Sequence, residues 1–265
     1  MNFEFASLTD PGRVRPNNED CVATSDAHGL AVLADGMGGY NAGEIASAMA
    51  VSFISTELTH WLAETGAEHE ATSVQNLKRA IEATVTQANL SIYNAATANA
   101  QFSGMGTTIV AGVFQPSHVV LAHVGDSRCY LLRDHRLTQL TRDHSLLQEQ
   151  LDAGLITPEL AKIATHKNLV TRALGVDTHV VVDVQAHPAQ AGDVFLMCSD
   201  GLSDMVDEDT LQAVLGAPIP LMERAQALVR AANTAGGRDN ISVILAQAKA
   251  KSEHLGFFSR VLRKN

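Results

Sequence analysis

The stretch from Thr107 to Thr141 constrains the fold more than any other part of the chain. Four segments rich in apolar and β-branched residues follow one another there, TTIVAGVF, HVVLAHV, GDSRCYLLR and RLTQLT, with only turn-forming residues such as Gln115-Pro116-Ser117 and Asp134-His135 between them. Parallel strands need a crossover of a dozen residues or more, so connections this short predict antiparallel neighbours. They weigh against a Rossmann-type sheet, in which a helix separates successive strands.

Elsewhere the apolar spacing switches between two and four. Extended pieces at Phe3 to Leu8, Cys21 to Ser25 and Leu30 to Ala34 are divided by Asp10-Pro11-Gly12 and Asp26-Ala27-His28-Gly29, and later strands are expected at Val180 to Gln185, Val194 to Ser199 and Ile241 to Ala246. A spacing of four through Ile45, Met49 and Phe53, and again through Ala46, Ala50, Ile54 and Leu58, predicts a helix covered on two faces. Leu77, Ile81, Val85, Ala88 and Ile92 predict a second, after a loop at Glu64 to Ser73, and two more are expected around Asp207 to Leu215 and Leu221 to Ala232. Residues 142–175 combine a helical piece at Leu146 to Leu151, a break at Gly154, a helix start at Thr157-Pro158-Glu159 and the polar His166-Lys167-Asn168. They read as an excursion on the edge of the core.

A chain of 265 residues can bury one substantial core, and no apolar run approaches the roughly 18 residues of a membrane span. The formal charge of -10 argues against nucleic acid as a partner, because phosphate backbones attract basic surfaces. Cys21, Cys129 and Cys198 are scattered and odd in number, and MNFEFASLTD lacks a basic region followed by an apolar core. A cytoplasmic protein with cysteines serving as small apolar residues is the expectation. The end of the chain differs in character: Lys249, Lys251, Arg260, Arg263 and Lys264 face Glu253 alone, with Leu255, Phe257, Phe258, Val261 and Leu262 among them. Residues 1–248 are therefore read as the working domain. Residues 249–265 are read as a basic C-terminal tail, with an amphipathic turn for a membrane surface or an acidic partner as the alternative to a lightly docked end.

Five acidic runs fall where strands give way to loops: Asn17-Asn18-Glu19-Asp20, Ala34-Asp35-Gly36-Met37-Gly38-Gly39, Gly125-Asp126-Ser127-Arg128, Ser199-Asp200-Gly201 followed by Asp204, and Arg238-Asp239-Asn240. A single Asp-Gly at a strand end is an ordinary turn. Brought together, such carboxylates would repel one another and drive their pKa values upward unless a cation lay among them. The donors are all oxygen, with no His or Cys pair alongside, which favours magnesium or manganese over zinc or copper. Two such ions sharing carboxylates suit in-line attack on phosphorus, and Gly36 lets the backbone approach or offer its carbonyl. A guanidinium from the same loop would grip phosphoryl oxygens through two parallel hydrogen bonds. Arg13 and Arg15 lie on the same side of an extended segment, and the residues alone leave that choice open. The glycines of GMGGYNAG ahead of a helix would also suit a nucleotide phosphate loop, but the lysine and Ser/Thr of such a loop are missing.

Taken in order, Arg15, NNED ending at Asp20, ADGMGG at Asp35, GMGTT at 104–108, GDSR at Asp126, SDGL at Asp200 and GGRDN at Asp239 resemble the metal-dependent protein phosphatases of type 2C in their compact bacterial form. The resemblance runs from about residue 5 to 246. It implies an α+β fold, a central β-sandwich of two antiparallel sheets flanked by helices on both faces (four-layer αββα), with a small flap at about 142–175. It also implies hydrolysis of phosphoserine and phosphothreonine in proteins by a hydroxide bridging two Mn or Mg ions, without a covalent phosphoenzyme. On that resemblance Asp35 bridges the ions, Gly36 supplies a backbone carbonyl, Asp20 is a direct or water-mediated ligand, and Asp200 and Asp239 complete the second ion's shell. Asp126 and Asp204 match a third, weaker site, and Arg15 rather than Arg13 matches the phosphate-gripping arginine. One position departs from the pattern. Many eukaryotic members carry a histidine general acid where this chain has Met37, so the proton for the leaving alkoxide is expected from water, with the flap residue His166 as the other candidate. The implied partners are phosphorylated proteins, targets of a bacterial Ser/Thr kinase, and the enzyme is expected to be a monomer. A catalytically silent scaffold that binds phosphoproteins or a kinase is the alternative, and it would be expected to lack some of the carboxylates that are all present here.

Overall fold

The computed structural model describes residues 1–38, 42–65, 73–157, 160–161 and 169–250. Its strands form two antiparallel sheets. In the first, the spatial order is β1 (Asn2–Asp10), β11 (Ile241–Lys249), β10 (Val194–Cys198), β7 (Arg128–Arg133) and β8 (Arg136–Gln139). In the second it is β2 (Asp20–Ser25), β3 (Leu30–Met37), β5 (Ile109–Phe114), β6 (His118–Val124) and β9 (Asp183–Pro188), with the short β4 (Gly106–Thr107) paired to the end of β3.

Strand alternation decides what each face covers. On β3, Leu30, Val32 and Ala34 pack under helices α1 (Ala42–Glu64) and α2 (Val74–Ala98), whereas Ala31 and Leu33 point at the opposite sheet. On β11, Val243 and Leu245 meet α5 (Glu208–Leu215) and α6 (Leu221–Thr234), whereas Ile244 and Ala246 face inward. Strands buried on both faces read as continuous apolar runs, which is why little alternation is visible in LAVLA or ISVILA. The four-layer αββα expectation therefore holds. Between the sheets Phe114 packs edge-on against Phe3, Phe5 and Phe195, with ring centroids 5.1, 5.3 and 5.5 Å apart. Cys129 and Cys198 are buried free thiols, and burial pushes the Cys198 thiol up to about 12, so both act as apolar filling.

Three expectations are corrected or refined, and one short helix is added. The chain does not place HVVLAHV and RCYLLR side by side: β6 belongs to the second sheet and β7 to the first, and Gly125, at φ 109°, carries the backbone across the sandwich. A short connection excludes a helical crossover but not a change of layer. The strand expected from Val180 begins only at Asp183, because Val180 and Val182 pack on the α1/α2 core without strand pairing. The helical piece expected at Leu146 to Leu151 is α3 (Leu146–Asp152), whereas a four-residue helix, α4 (Asp200–Ser203), is too short for periodicity to reveal. Finally, β11 continues to Lys249, whose ammonium pairs with Glu4, so the first residue of the expected tail belongs to the sheet. The loop at 66–72, Pro158-Glu159 of the expected helix start, His166-Lys167-Asn168 and residues 251–265 lie outside the described residues. Among those described, no helix is long and apolar enough to cross a membrane.

Candidate metal centre

The two sheets bring their acidic loops to one end. Antiparallel pairing of β2 with β3 sets Asp20 directly opposite Asp35. Asp35 is then locked from the other side: its N–H donates to Thr108 Oγ1 (3.1 Å), while its carbonyl accepts from Thr108 N–H (2.9 Å) and Thr107 Oγ1 (2.8 Å). Thr108 Oγ1 lies 2.8 Å from Ser127 Oγ, so the same hydroxyl ties Asp35 to the turn that carries Asp126. At Gly36 a Cβ would overlap the carbonyl oxygens of Gly43 and Glu19, so only glycine lets these three segments meet.

From the first sheet, β10 runs into Ser199, the residue after its end, whose hydroxyl donates to Asp20 Oδ2 (2.8 Å). That hydroxyl makes no cap to α4, and Asp200 opens the helix. Asn240 precedes β11 and accepts from Glu19 N–H (2.8 Å) while donating to Asn17 O (2.8 Å) and Pro11 O (3.1 Å), which ties the β1–β2 loop to Asp239 beside it. From that loop Arg15 Nη2 donates to Asp239 Oδ2 at 2.7 Å. Arg13 is held through its backbone, N–H to Gly237 O at 2.7 Å, and it is Arg15 that lines the cleft.

The outcome is a cleft of about 640 Å³ walled by Arg15, Asp35, Gly36, Asp126, Asp200 and Asp239, with Met37 on its rim and Asp20 buried beneath. Asp204 stands apart, in an adjoining cleft of about 320 Å³ that shares Asp126 and Asp200 with the first. His166 is outside the described residues. The sequence does not single out Thr108, Ser199 and Asn240, which hold the Asp35 backbone, the Asp20 carboxylate and the Glu19 backbone, nor the pairing of Arg128 with Asp143 (Nη2 to Oδ2, 2.6 Å) on the wall of the smaller cleft. GMGTT, GDSR, SDGL and GGRDN contain Thr108, Arg128, Ser199 and Asn240, but their partners lie elsewhere in the chain.

Electrostatics sets this end apart. Burial, followed by the charges of Asp20, Asp200, Asp126 and Asp239, holds the Asp35 carboxyl well above the usual carboxylate range. Asp200 is raised for the same reasons, with burial first and Asp126 next. Burial pushes Asp20 up to about 6 against the pull of the Ser242 and Ser199 hydroxyls, and burial with the charge of Asp143 pushes Asp126 up to about 6. Asp20 Oδ1 is buried with no hydrogen-bond partner among the described residues. Desolvated carboxylates, an orphaned oxygen and an all-oxygen donor set fit hard divalent cations, which would relieve the repulsion and satisfy the orphan.

Residues 14–246 match the family model described as protein phosphatase 2C. The chain is 41% identical over 250 residues to the serine/threonine phosphatase stp of Listeria monocytogenes, covering 93% of this chain and 96% of that one. Its fold is similar to the crystal structure of the Mycobacterium tuberculosis serine/threonine phosphatase PstP/Ppp, with a TM-score of 0.84 at 37% identity over 94% of this chain and all of that one. It is also similar to a PstP catalytic domain solved in complex with two manganese ions, with a TM-score of 0.81 at 37% identity over 94% and 99% of the two chains. The chain therefore belongs to the protein phosphatase 2C family.

Proposed function

We propose that this cleft removes phosphate from phosphoserine and phosphothreonine in proteins with the help of two manganese or magnesium ions. One observation carries the reading: Asp20, Asp35, Asp126, Asp200 and Asp239, drawn from distant parts of the chain, converge at one end of the sandwich, where burial and the neighbouring charges raise the pKa of Asp20, Asp35, Asp126 and Asp200. The phosphatase relatives and the manganese complex support it. In this reading Asp20, Asp35, the Gly36 carbonyl, Asp200 and Asp239 hold the pair of ions, and Asp126 with Asp204 holds a weaker third. When bound, the ions supply Lewis acidity toward the phosphoryl group and lower the pKa of water to make a nucleophile at neutral pH.

The chain's own residues supply the remainder. Thr107 and Thr108 fix the Asp35 backbone and Ser199 holds the Asp20 carboxylate, so little reorganisation is left for the reaction. Arg15, already reaching Asp239 at the cleft mouth, presents its guanidinium fork to the phosphoryl oxygens and orients them in line. The Met37 thioether donates no proton, so the leaving alkoxide takes one from water. Residues 1–249 form the catalytic unit, with 250–265 as a basic appendage, and the enzyme acts as a cytoplasmic monomer on proteins phosphorylated by a bacterial Ser/Thr kinase. The test is turnover of a phosphothreonine peptide with and without manganese, for wild type and Asp35→Asn. The reading expects activity only in metal-loaded wild type; turnover in metal-free buffer, or by Asp35→Asn, overturns it.

A further inference from the structure

Outside the cleft, His144 joins more segments of this end of the fold than its place in a loop would suggest. Its backbone N–H donates to Gly125 O (2.8 Å), and its ring Nδ1 accepts from Gly125 N–H (3.0 Å). One residue thus clamps both polar groups of the glycine that turns the chain between sheets and immediately precedes Asp126. Its carbonyl accepts from Thr171 N–H (2.8 Å), while its neighbours continue the seam: Ser145 bridges Val170, and Leu146 N–H donates to Leu169 O (2.9 Å). Leu169 and Val170 line the same cleft as Asp35 and Asp239. The far side of the ring, Nε2, faces Asp183 Oδ2 (3.4 Å) and Arg172 Nη1 (3.0 Å) and is stacked on His123 at 4.4 Å.

His123, His144 and Asp183 offer ligand atoms within 4.8 Å of one another, the spacing of a metal site. The hydrogen bonds argue against that use. With Nδ1 accepting from Gly125 N–H, the proton of the neutral ring sits on Nε2 and faces Asp183 Oδ2, so the approach of Arg172 Nη1, itself a donor, is a contact and not a hydrogen bond; a metal on Nε2 would instead place the proton on Nδ1, against the Gly125 N–H. Arg172 Nη1, which also reaches Val181 O and Asp183 Oδ1 (both 3.2 Å), already brings a cation to these residues. The ring is 8% exposed by its side chain, and no step of the proposed reaction uses it.

We propose that His144 is a positioning residue, a latch that fixes the Gly125 turn, and with it Asp126, in register with the segment returning from the flap at residues 169–172. The inference rests on the phosphatase reading of the cleft, but its first readout does not. Asparagine carries a carbonyl oxygen where histidine carries Nδ1, so His144→Asn keeps the acceptor for Gly125, and His144→Leu removes it at similar bulk. Hydrogen exchange of residues 123–128, measured on the full chain without metal, should quicken about three- to tenfold in His144→Leu and be largely restored in His144→Asn, the range expected for one net hydrogen bond. In the manganese-loaded enzyme the half-saturating manganese concentration should rise by a similar factor in His144→Leu, with KM for p-nitrophenyl phosphate unchanged, and asparagine should rescue it. Equal exchange and equal manganese dependence in the two variants would reduce His144 to core filling and overturn the proposal. So would a tight zinc site lost in both His123→Ala and His144→Leu, since it requires the other tautomer. Were wild type to lack turnover, the function would fall while the exchange result still judged the latch.

Discussion

Replacing Asp126 by asparagine should make the metal-free protein more stable while weakening its response to metal. Asp126 is 7% exposed, and burial, then the charges of Asp143 and Asp204, raise its pKa from 3.8 to about 6. A group whose folded pKa exceeds its unfolded value favours the fold at low pH and loses that contribution as pH rises through the folded value. The window here is pH 3.8 to about 6, so at pH 7.5 the whole penalty is present. At about 1.4 kcal/mol per pH unit it amounts to about 3 kcal/mol. In a domain of this size each kcal/mol moves Tm by roughly 2–4 °C, so Asp126→Asn should melt up to about 10 °C higher in chelator-treated buffer at pH 7.5. The advantage should shrink as pH falls toward 4. Adding manganese should raise wild type more than the variant and narrow or reverse the gap. Calorimetric melts at pH 4.5, 6 and 7.5, with and without manganese, measure all of this. A metal-free Asp126→Asn that melts at or below wild type at pH 7.5 refutes the electrostatic account of the cleft.

Other substitutions probe single contacts. Arg15→Ala should raise KM for a phosphopeptide about tenfold or more with a smaller effect on kcat, since a charge-assisted grip is made to ground and transition states alike; steady-state kinetics checks it. Ser199→Ala removes the donor to Asp20 and the acceptor of Ser242 N–H, and should cost about 1–3 kcal/mol in urea unfolding. Gly36→Ala forces a methyl against the Gly43 and Glu19 carbonyls and should cost on the order of 2 kcal/mol or more, read as a lower denaturation midpoint in metal-free buffer.

Most elements were legible because their signals are local. The spacing of four through Ala46, Ala50, Ile54 and Leu58 became α1, and Asp134-His135 became a two-residue hairpin with both residues left-handed, at φ 49° and 60°. What escaped depends on partners distant in the chain. Nothing near Gly125 signals that β6 and β7 lie in different sheets, and that crossing is what delivers Asp126 to the cleft. The carboxylates themselves were visible as a set of strand-end motifs, but their support was not. Ser199 bonds Asp20 across 179 positions, Asn240 reaches Glu19 across 221, and Thr108 meets Asp35 across 73. A serine, an asparagine and a threonine at strand ends look like ordinary turn residues until the sheets are assembled.

The most direct test of the account is a calorimetric titration of manganese into the metal-free protein at pH 6 and at pH 8, in buffers of different ionisation enthalpy. With Asp20 and Asp126 raised to about 6, and Asp35 and Asp200 held well above their ordinary range, binding should displace protons at pH 6 and fewer at pH 8. Wild type should take up at least two ions, and Asp35→Asn should lose the tight binding. Manganese that fails to bind, or binds without releasing protons at pH 6, would mean that the five carboxylates do not share a cation.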